Sequence, residues 1–309
     1  MTLLHWTLPL PAGYRRDDVI AFHSRDTQAV AERVTPAGLR KGILLAGVPV
    51  VLDVAFTHAA AVCRAEIDGD GDADAAARLQ APLHGALLNI LGLRIDPQPF
   101  AQLAAGDPLL APLIRLNPGL RIVQSASPFE ALTWAIIGQQ INLPFAISLR
   151  RTFILQAGRQ HGSGLWCYPE ARDVARLEIE DLTSRKFSRA KAETLLRLAR
   201  LVDEGTLSLE LPASGDVAAM SQALLAVKGN GPWTVNYALL RGYGYADCSL
   251  HGDVAIRAAL QKLLGEEAKP DMARTEQWLR QYAPHRTMAA AHLWASLHAP
   301  EKNNPQAGE

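Results

Sequence analysis

Residues 228–242 run K-G-N-G-P-W-T-V-N-Y-A-L-L-R-G. Gly229 and Gly231 stand one residue apart, and Pro232 follows at what would be the first position of an apolar helix, where a missing N–H costs nothing. Upstream, the L-L-A-V of residues 224–227 closes another apolar helix. The stretch is therefore a helix, a short glycine turn and a second helix. Both glycines permit positive φ and carry no side chain, so the N–H groups of the turn and of the second helix's first residues can approach an anion closely. An ordinary helical hairpin whose glycines only serve the turn fits these residues equally.

Outward from this unit, the chain from about residue 93 onward reads as nearly all helical. Ser127-Pro128-Phe129-Glu130 has the pattern of a capping box with proline at the first helical position. It launches an apolar helix to Gly138. Gln139-Gln140-Ile141-Asn142 before Pro144 reads as a polar turn and a fresh helix start. Ser188 caps a helix over 189–202, closed by Gly205. Further helices are expected near 215–227, 233–240, 254–264, 272–282 and 287–298. Residues 301–309 form a polar tail, expected to fray.

The first ninety or so residues differ. They hold β-rich runs at 3–8, 42–51 and 61–67, interrupted by a helical stretch near 17–33, the pattern of a small α+β unit. The acidic loop G-D-G-D-A-D at 69–74 lacks the closing glutamate of a calcium loop and is not expected to hold an ion.

The whole chain has 309 residues, 49% hydrophobic and 20% charged, a globular composition with room for more than one domain. Lys plus Arg and Asp plus Glu both total 31, which excludes nucleic-acid binding by bulk positive charge. Cys63, Cys167 and Cys248 are odd in number and far apart, so neither a disulfide framework nor a zinc or iron–sulfur set is expected. No apolar run reaches the roughly 20 residues that span a bilayer, and the N-terminus lacks a signal-peptide pattern, so the expected location is cytoplasmic.

Downstream of the hairpin comes H-G-D-V-A-I-R, with Asp253 just before an apolar helix. A plain helix N-cap explains it. That reading also fixes a carboxylate in position.

With these residues in view, the sequence resembles the helix–hairpin–helix DNA glycosylase superfamily, and most of all the bacterial 3-methyladenine DNA glycosylase II type. The likeness rests on Trp6, A-I-I-G-Q-Q-I (135–141), S-R-A-K-A-E-T-L (188–195), G-N-G-P-W-T-V-N-Y (229–237), G-D-V-A-I-R (252–257) and A-A-H-L-W (290–294), in that order. It implies an α+β fold with an N-terminal antiparallel β-sheet domain over 1–92, like one repeat of the TATA-binding protein. Two mostly helical domains would follow, one from 93–125 with 246–309 and one from 126–245 that carries the helix–hairpin–helix, flanking a DNA cleft.

Carried over by position, Asp253 matches the catalytic aspartate. Gly229, Gly231 and Thr234 match the phosphate-binding positions. Phe22, Trp233, Tyr237 and Trp294 match the aromatic walls of the pocket for an extruded base, although core packing also explains each of them alone. No cofactor is implied beyond an optional sodium or potassium ion on the carbonyls of Leu225, Val227 and Asn230. The implied partner is double-stranded DNA containing alkylated bases, with no membrane and no obligate protein partner. Two departures stand out. Val227-Lys228 replaces the usual proline before the first glycine, so Lys228 is a candidate phosphate contact. Gln140 stands where the relative carries an apolar wedge.

Relatives that cut DNA carry a lysine just after the hairpin, which attacks the sugar and forms a Schiff base. Here that position is Trp233. The resemblance therefore implies a monofunctional glycosylase with no lyase step. Two alternatives stand beside it: a non-catalytic helix–hairpin–helix DNA-binding repair protein, and a glycosylase for another lesion such as oxidised guanine. Residues 184–200 carry six bases, Arg185, Lys186, Arg189, Lys191, Arg197 and Arg200, against Glu193 alone, and a solvated helix face is the usual explanation.

Overall fold

The computed structural model describes residues 1–69, 73–211 and 215–297, with the side chains of 73–76 left aside. The acidic loop at 69–74 and the polar tail therefore lie largely or wholly outside the described residues. In chain order the elements are β1 (Thr2–Pro9), α1 (Arg16–His23), β2 (Glu32–Thr35), β3 (Gly38–Leu45), β4 (Val48–Phe56), β5 (Ala60–Ile67), α2 (Ala73–Ile90), α3 (Gln98–Leu103) and α4 (Leu110–Leu116). There follow α5 (Pro128–Gly138), α6 (Leu143–Ala157), β6 (Arg159–Gln160), β7 (Trp166–Cys167), α7 (Ala171–Ala175), α8 (Ile179–Thr183) and α9 (Arg189–Asp203). The chain continues with α10 (Val217–Leu225), α11 (Pro232–Tyr243), α12 (Val254–Leu264), α13 (Met272–Arg280) and α14 (Arg286–Ser296). Two compact units result: Met1–Asp96 with Arg121–Tyr245, and Pro97–Leu120 with the chain from Ala246.

The first unit is built on a five-stranded antiparallel sheet in the order β1-β5-β4-β3-β2. Val50, Val51 and Leu52 are buried in succession on β4. Burial on both faces explains why residues 42–51 look like one continuous β run. They form a hairpin instead, with Leu45 paired to Val48. Its two turn residues, Ala46 (φ 50°) and Gly47 (φ 81°), both take left-handed values. Such turns usually carry Asn-Gly or Asp-Gly, and Ala46 hides the signal. The helix expected near 17–33 stops at His23. Beyond it the Asp26 carboxylate accepts the N–H groups of Gln28 and Val30 and leads the chain into β2.

The mainly helical part holds a further departure, the short β6–β7 ribbon, which Tyr168 bridges to Ile43 of β3. The capping box at 127–130 forms only in part. Ser127 Oγ accepts the Glu130 N–H, but the Glu130 carboxylate passes the cap and accepts the Ala126 N–H at 2.9 Å. Its other oxygen meets buried cations. Lys41 Nζ donates to Glu32 at 2.6 Å and to Glu130 at 2.7 Å, and Arg150 donates to the same two carboxylates at 2.7 and 2.8 Å. Lys41 is 1% exposed. This cluster fastens α5 and α6 to β2 and β3.

Burial alone would raise the Glu32 and Glu130 carboxyls, but the adjoining Arg150 and Lys41 outweigh it and hold both well below the usual range. Burial pushes the His23 imidazole down to about 4, so it is neutral in the fold. Its Nε2 contacts the Ile90 carbonyl at 3.2 Å, and Nδ1 has no partner among the described residues.

Removing one member of a buried charge cluster strands the others, at a cost of roughly 3–5 kcal/mol. Lys41→Met should lose about that much in urea unfolding, and a loss below about 1 kcal/mol would show the cluster to be dispensable. Both groups of carboxyl and imidazole also write a pH signature. A lowered imidazole stabilises the fold fully above pH 6.5 and loses its contribution as pH falls toward 4, a change of roughly 3 kcal/mol that His23→Leu should abolish. The carboxylate contribution is complete above about pH 4.5 and fades only below it. An unfolding free energy flat between pH 6.5 and 4 would contradict the buried neutral His23.

Candidate functional site

The glycine turn is held from several sides. The Asn230 N–H donates to the Val227 carbonyl at 3.0 Å, and its side-chain amide donates to the Leu224 carbonyl at 3.0 Å. Gly229 has φ 104°, and a Cβ there would lie 2.1 Å from Thr194 Oγ1, so both conformation and space demand glycine. Gly231 differs from the expectation. Its φ is −105°, and an added Cβ would meet nothing within 4 Å. Its missing side chain serves neither the turn's conformation nor its packing, and it leaves the N-terminus of α11 without a side-chain cap.

Lys228 is exposed, and its carbonyl accepts from Arg197 at 3.0 Å. Thr234 is buried, with its hydroxyl accepting from Gln139 Nε2 at 3.0 Å. The same amide donates to the Gly229 carbonyl at 3.1 Å. Gln139 thus ties the end of α5 to the turn, a role its place beside Gln140 at the helix break could have suggested. Gln140 is exposed in a left-handed conformation, φ 56°, just beyond α5.

The basic run at 184–200 is less solvated than expected. Lys191 Nζ caps α5 by donating to the carbonyls of Ile137, at 2.8 Å, and Gln139, and desolvation lowers its pKa. Arg200 reaches the carbonyls of Ala175 and Leu177, while Arg185 and Arg189 meet Gln156 and Glu193. No local pattern distinguishes a lysine that caps a distant helix from one in water.

Three of the four expected aromatic residues share the first unit. The rings of Trp233 and Tyr237 lie 5.3 Å apart at 33°. Trp134, which nothing in the sequence singled out, donates its indole N–H to the Tyr237 hydroxyl at 2.9 Å. Phe22 is half-buried, with the guanidinium groups of Arg25 and Arg241 at 4.2 and 5.0 Å from its centroid. Burial pushes the Arg241 pKa down, and its guanidinium donates to the Val123 carbonyl. Phe22 and Trp134 line a cavity of about 40 Å³ with His23, Ser125 and members of the buried charge cluster.

Asp253 and Trp294 belong to the second unit, where α12 packs on α14. Asp253 is the N-cap of α12. Its Oδ1 accepts the N–H groups of Ala255 at 2.9 Å and Ile256 at 3.0 Å, and the Trp294 indole N–H at 3.2 Å. Its own N–H donates to the Leu250 carbonyl at 2.9 Å. Trp294 therefore holds the carboxylate, which its expected place as a pocket wall did not include. Among the described residues no group of three or more His, Cys, Asp or Glu could hold a metal ion, and the three cysteines are free and buried.

Residues 133–285 match the family model described as HhH-GPD superfamily base excision DNA repair protein. The chain is 32% identical over 206 residues, 66% of its length, to the DNA-3-methyladenine glycosylase of Bacillus subtilis, spanning 68% of that protein. It is 29% identical over 184 residues, 58% of its length, to DNA-3-methyladenine glycosylase 2 of Escherichia coli, spanning 61% of that protein. The fold is shared with the solved 3-methyladenine DNA-glycosylase from Archaeoglobus fulgidus, at a TM-score of 0.76 and 20% identity, covering 94% of this chain and 97% of that one.

The two glycines should separate cleanly by substitution. Gly229→Ala forces a Cβ into Thr194 at positive φ and should cost on the order of 1–3 kcal/mol in chemical unfolding. Gly231→Ala should stay within about 0.5 kcal/mol of the unaltered protein. Equal losses for both would contradict the different environments of the two positions.

Proposed function

The chain belongs to the HhH-GPD superfamily of base excision DNA repair proteins, and from that premise we propose that it is a monofunctional DNA glycosylase that extrudes alkylated bases from duplex DNA and hydrolyses the glycosidic bond. The observation that carries this reading is the Asp253 carboxylate, whose Oδ1 is fixed by two helix N-terminal N–H groups and the Trp294 indole. A carboxylate facing a phosphodiester would only repel DNA. One aimed at a sugar that becomes oxocarbenium-like as its base leaves would stabilise the transition state and help orient water.

The remaining roles follow from chemistry. The exposed turn, with Gly229, Gly231, the N–H of Thr234 and the ammonium of Lys228, would grip a phosphate through backbone dipoles, which a protein of zero net charge can do. The open space beside Gly231 supports this, because glycine there has no task inside the fold. Extruding a base costs a few kcal/mol, least where pairing is already weakened. Gln140, exposed at the end of α5, would fill the gap and hydrogen-bond the orphaned partner base. Trp233, Tyr237, Trp294 and Phe22 would wall the base pocket, and stacking on a cationic alkylpurine is worth on the order of 0.5–2 kcal/mol per ring. Alkylation at N3 or N7 also makes the purine a good leaving group, so 3-methyladenine and 7-methylguanine suit a site with one carboxylate. Trp233 in place of lysine removes the Schiff-base step, which leaves the abasic strand intact.

The proposal extends to a TATA-binding-protein-like N-terminal sheet, the three-part domain division of 1–92, 93–125 with 246–309, and 126–245, and a cytoplasmic location. No helix among the described residues is long and apolar enough to cross a membrane. A sodium or potassium ion would be held by the carbonyls of Leu225, Val227 and Asn230. Neutral oxygens suit a monovalent ion, and the Val227 carbonyl already accepts the Asn230 N–H. Such an ion would add positive charge behind a bound phosphate.

Asp253→Asn keeps a good N-cap and an oxygen for the Trp294 indole while removing the charge. It should bind a lesion duplex as the unaltered protein does and release base at least about 100-fold more slowly. Release at the unaltered rate would sink the role of Asp253, and release unaccompanied by any Asp253 dependence in binding or rate would favour a different catalytic group.

A further inference from the structure

Residues 246–253 lead into α12 without helix or strand, yet the second unit pins them at several points. The Arg286 guanidinium donates to the Asp247 carboxylate at 2.7 and 2.8 Å, and the Cys248 N–H donates to Thr287 Oγ1 at 2.9 Å. The Asp253 N–H closes a turn on the Leu250 carbonyl at 2.9 Å. His251 stands at the corner of that turn, half-buried, two residues before Asp253. Two peptide units keep the α-carbons of His251 and Asp253 within about 7 Å of each other. In H-G-D-V-A-I-R the aspartate draws the eye, and the histidine has so far had no task.

Its Nδ1 lies 2.9 Å from Ser249 Oγ. Ser249 is 9% exposed, and its hydroxyl has no other partner among the described residues. If a neutral ring donated from Nδ1, the buried hydroxyl proton would be left without an acceptor, which is costly. With Ser249 donating to Nδ1, every buried group is satisfied and Nε2 carries the ring proton. A protonated ring also donates from Nε2. The outer nitrogen is thus a donor in both charge states, and it has no partner among the described residues.

We propose that His251 is a DNA-binding residue whose Nε2–H donates to a phosphate oxygen of the lesion-bearing strand, with Ser249 as the positioning residue that fixes its tautomer. The proposal rests on the glycosylase reading, under which the sugar of the damaged nucleotide meets Asp253. The strongest acceptors beside that sugar are the phosphates on either side of it, and Asp253 repels them. A donor held on the same rigid turn offsets that repulsion and sets where the sugar stops relative to the carboxylate. Hydrogen bonds to an anionic oxygen are the short, strong kind that suit this task.

The test measures binding of a duplex with a tetrahydrofuran abasic analogue, and of the same duplex with a neutral methylphosphonate replacing either flanking phosphate. His251→Ala should weaken binding of the all-phosphate duplex about tenfold. One of the two methylphosphonates should weaken the unaltered protein by a similar factor yet barely affect His251→Ala, a coupling that a merely structural change would not produce. His251→Gln, which keeps an N–H donor at similar reach, should recover most of the affinity. Ser249→Ala should lose less, about threefold, and nothing further when combined with His251→Ala. Unaltered affinity in His251→Ala, methylphosphonate losses that simply add to it, or full additivity with Ser249→Ala would each overturn the inference. Base release from methylated duplex DNA by the unaltered protein separates the two failures: with release, these results count against His251 alone. Without release the glycosylase reading itself fails, and the inference falls with it.

Discussion

The first unit depends on four buried charges that share one small volume. Lys41 and Arg150 each bridge Glu32 and Glu130, and none of the four side chains exceeds 13% exposure. Such a cluster is a costly way to fill a core, since hydrophobic residues of the same volume often do as well or better. Its effect here is geometric. It sets α5 against the sheet at a defined register, and α5 in turn supports α11. Gly242 of α11 packs so closely on α5 that an added Cβ would lie 2.9 Å from Pro128. The Ser125 N–H, just before α5, donates to the Arg241 carbonyl at 2.8 Å.

From α5 the same logic reaches the glycine turn. Gln139 at its end holds the Gly229 carbonyl and the Thr234 hydroxyl, while Lys191 and Arg197 from α9 hold the end of α5 and the Lys228 carbonyl. Side chains that could have been solvated cations fix backbone carbonyls instead. The turn's backbone is thereby held in place from within the fold, as the proposed anion site built from dipoles would require. In the second unit the carboxylate of Asp253 is fixed by the same means, with α12 supplying two donors and α14 a third.

Much of this was legible in local sequence. Ser127, Ser188 and Asp253 cap helices through their side chains, as short polar residues before apolar runs should, and Asn142 caps the helix start read before Pro144. The Gly229 turn and the helix opening at Pro232 were equally clear. What stayed hidden was decided at a distance. A sheet buried on both faces erased the alternation that separates β3 from β4, and Ala46 gave no turn signal. Glu130 sits where a capping box would have it, yet a lysine far away on β3 claims its carboxylate. Gly229 and Gly231 look alike in sequence, and only the presence of Thr194 beside one of them tells them apart. Trp134 and Arg241 show no pattern at all, because their partners lie on other elements.

The central claim is that this protein releases a damaged base and leaves the strand whole. It is tested most directly by incubating the unaltered protein with methylated duplex DNA, identifying free bases in the supernatant by mass spectrometry and running the DNA on a denaturing gel before and after alkali. The account predicts free 3-methyladenine or 7-methylguanine and strands that break only after alkali. DNA that is bound but yields no free base, or strands already nicked before alkali, would contradict it.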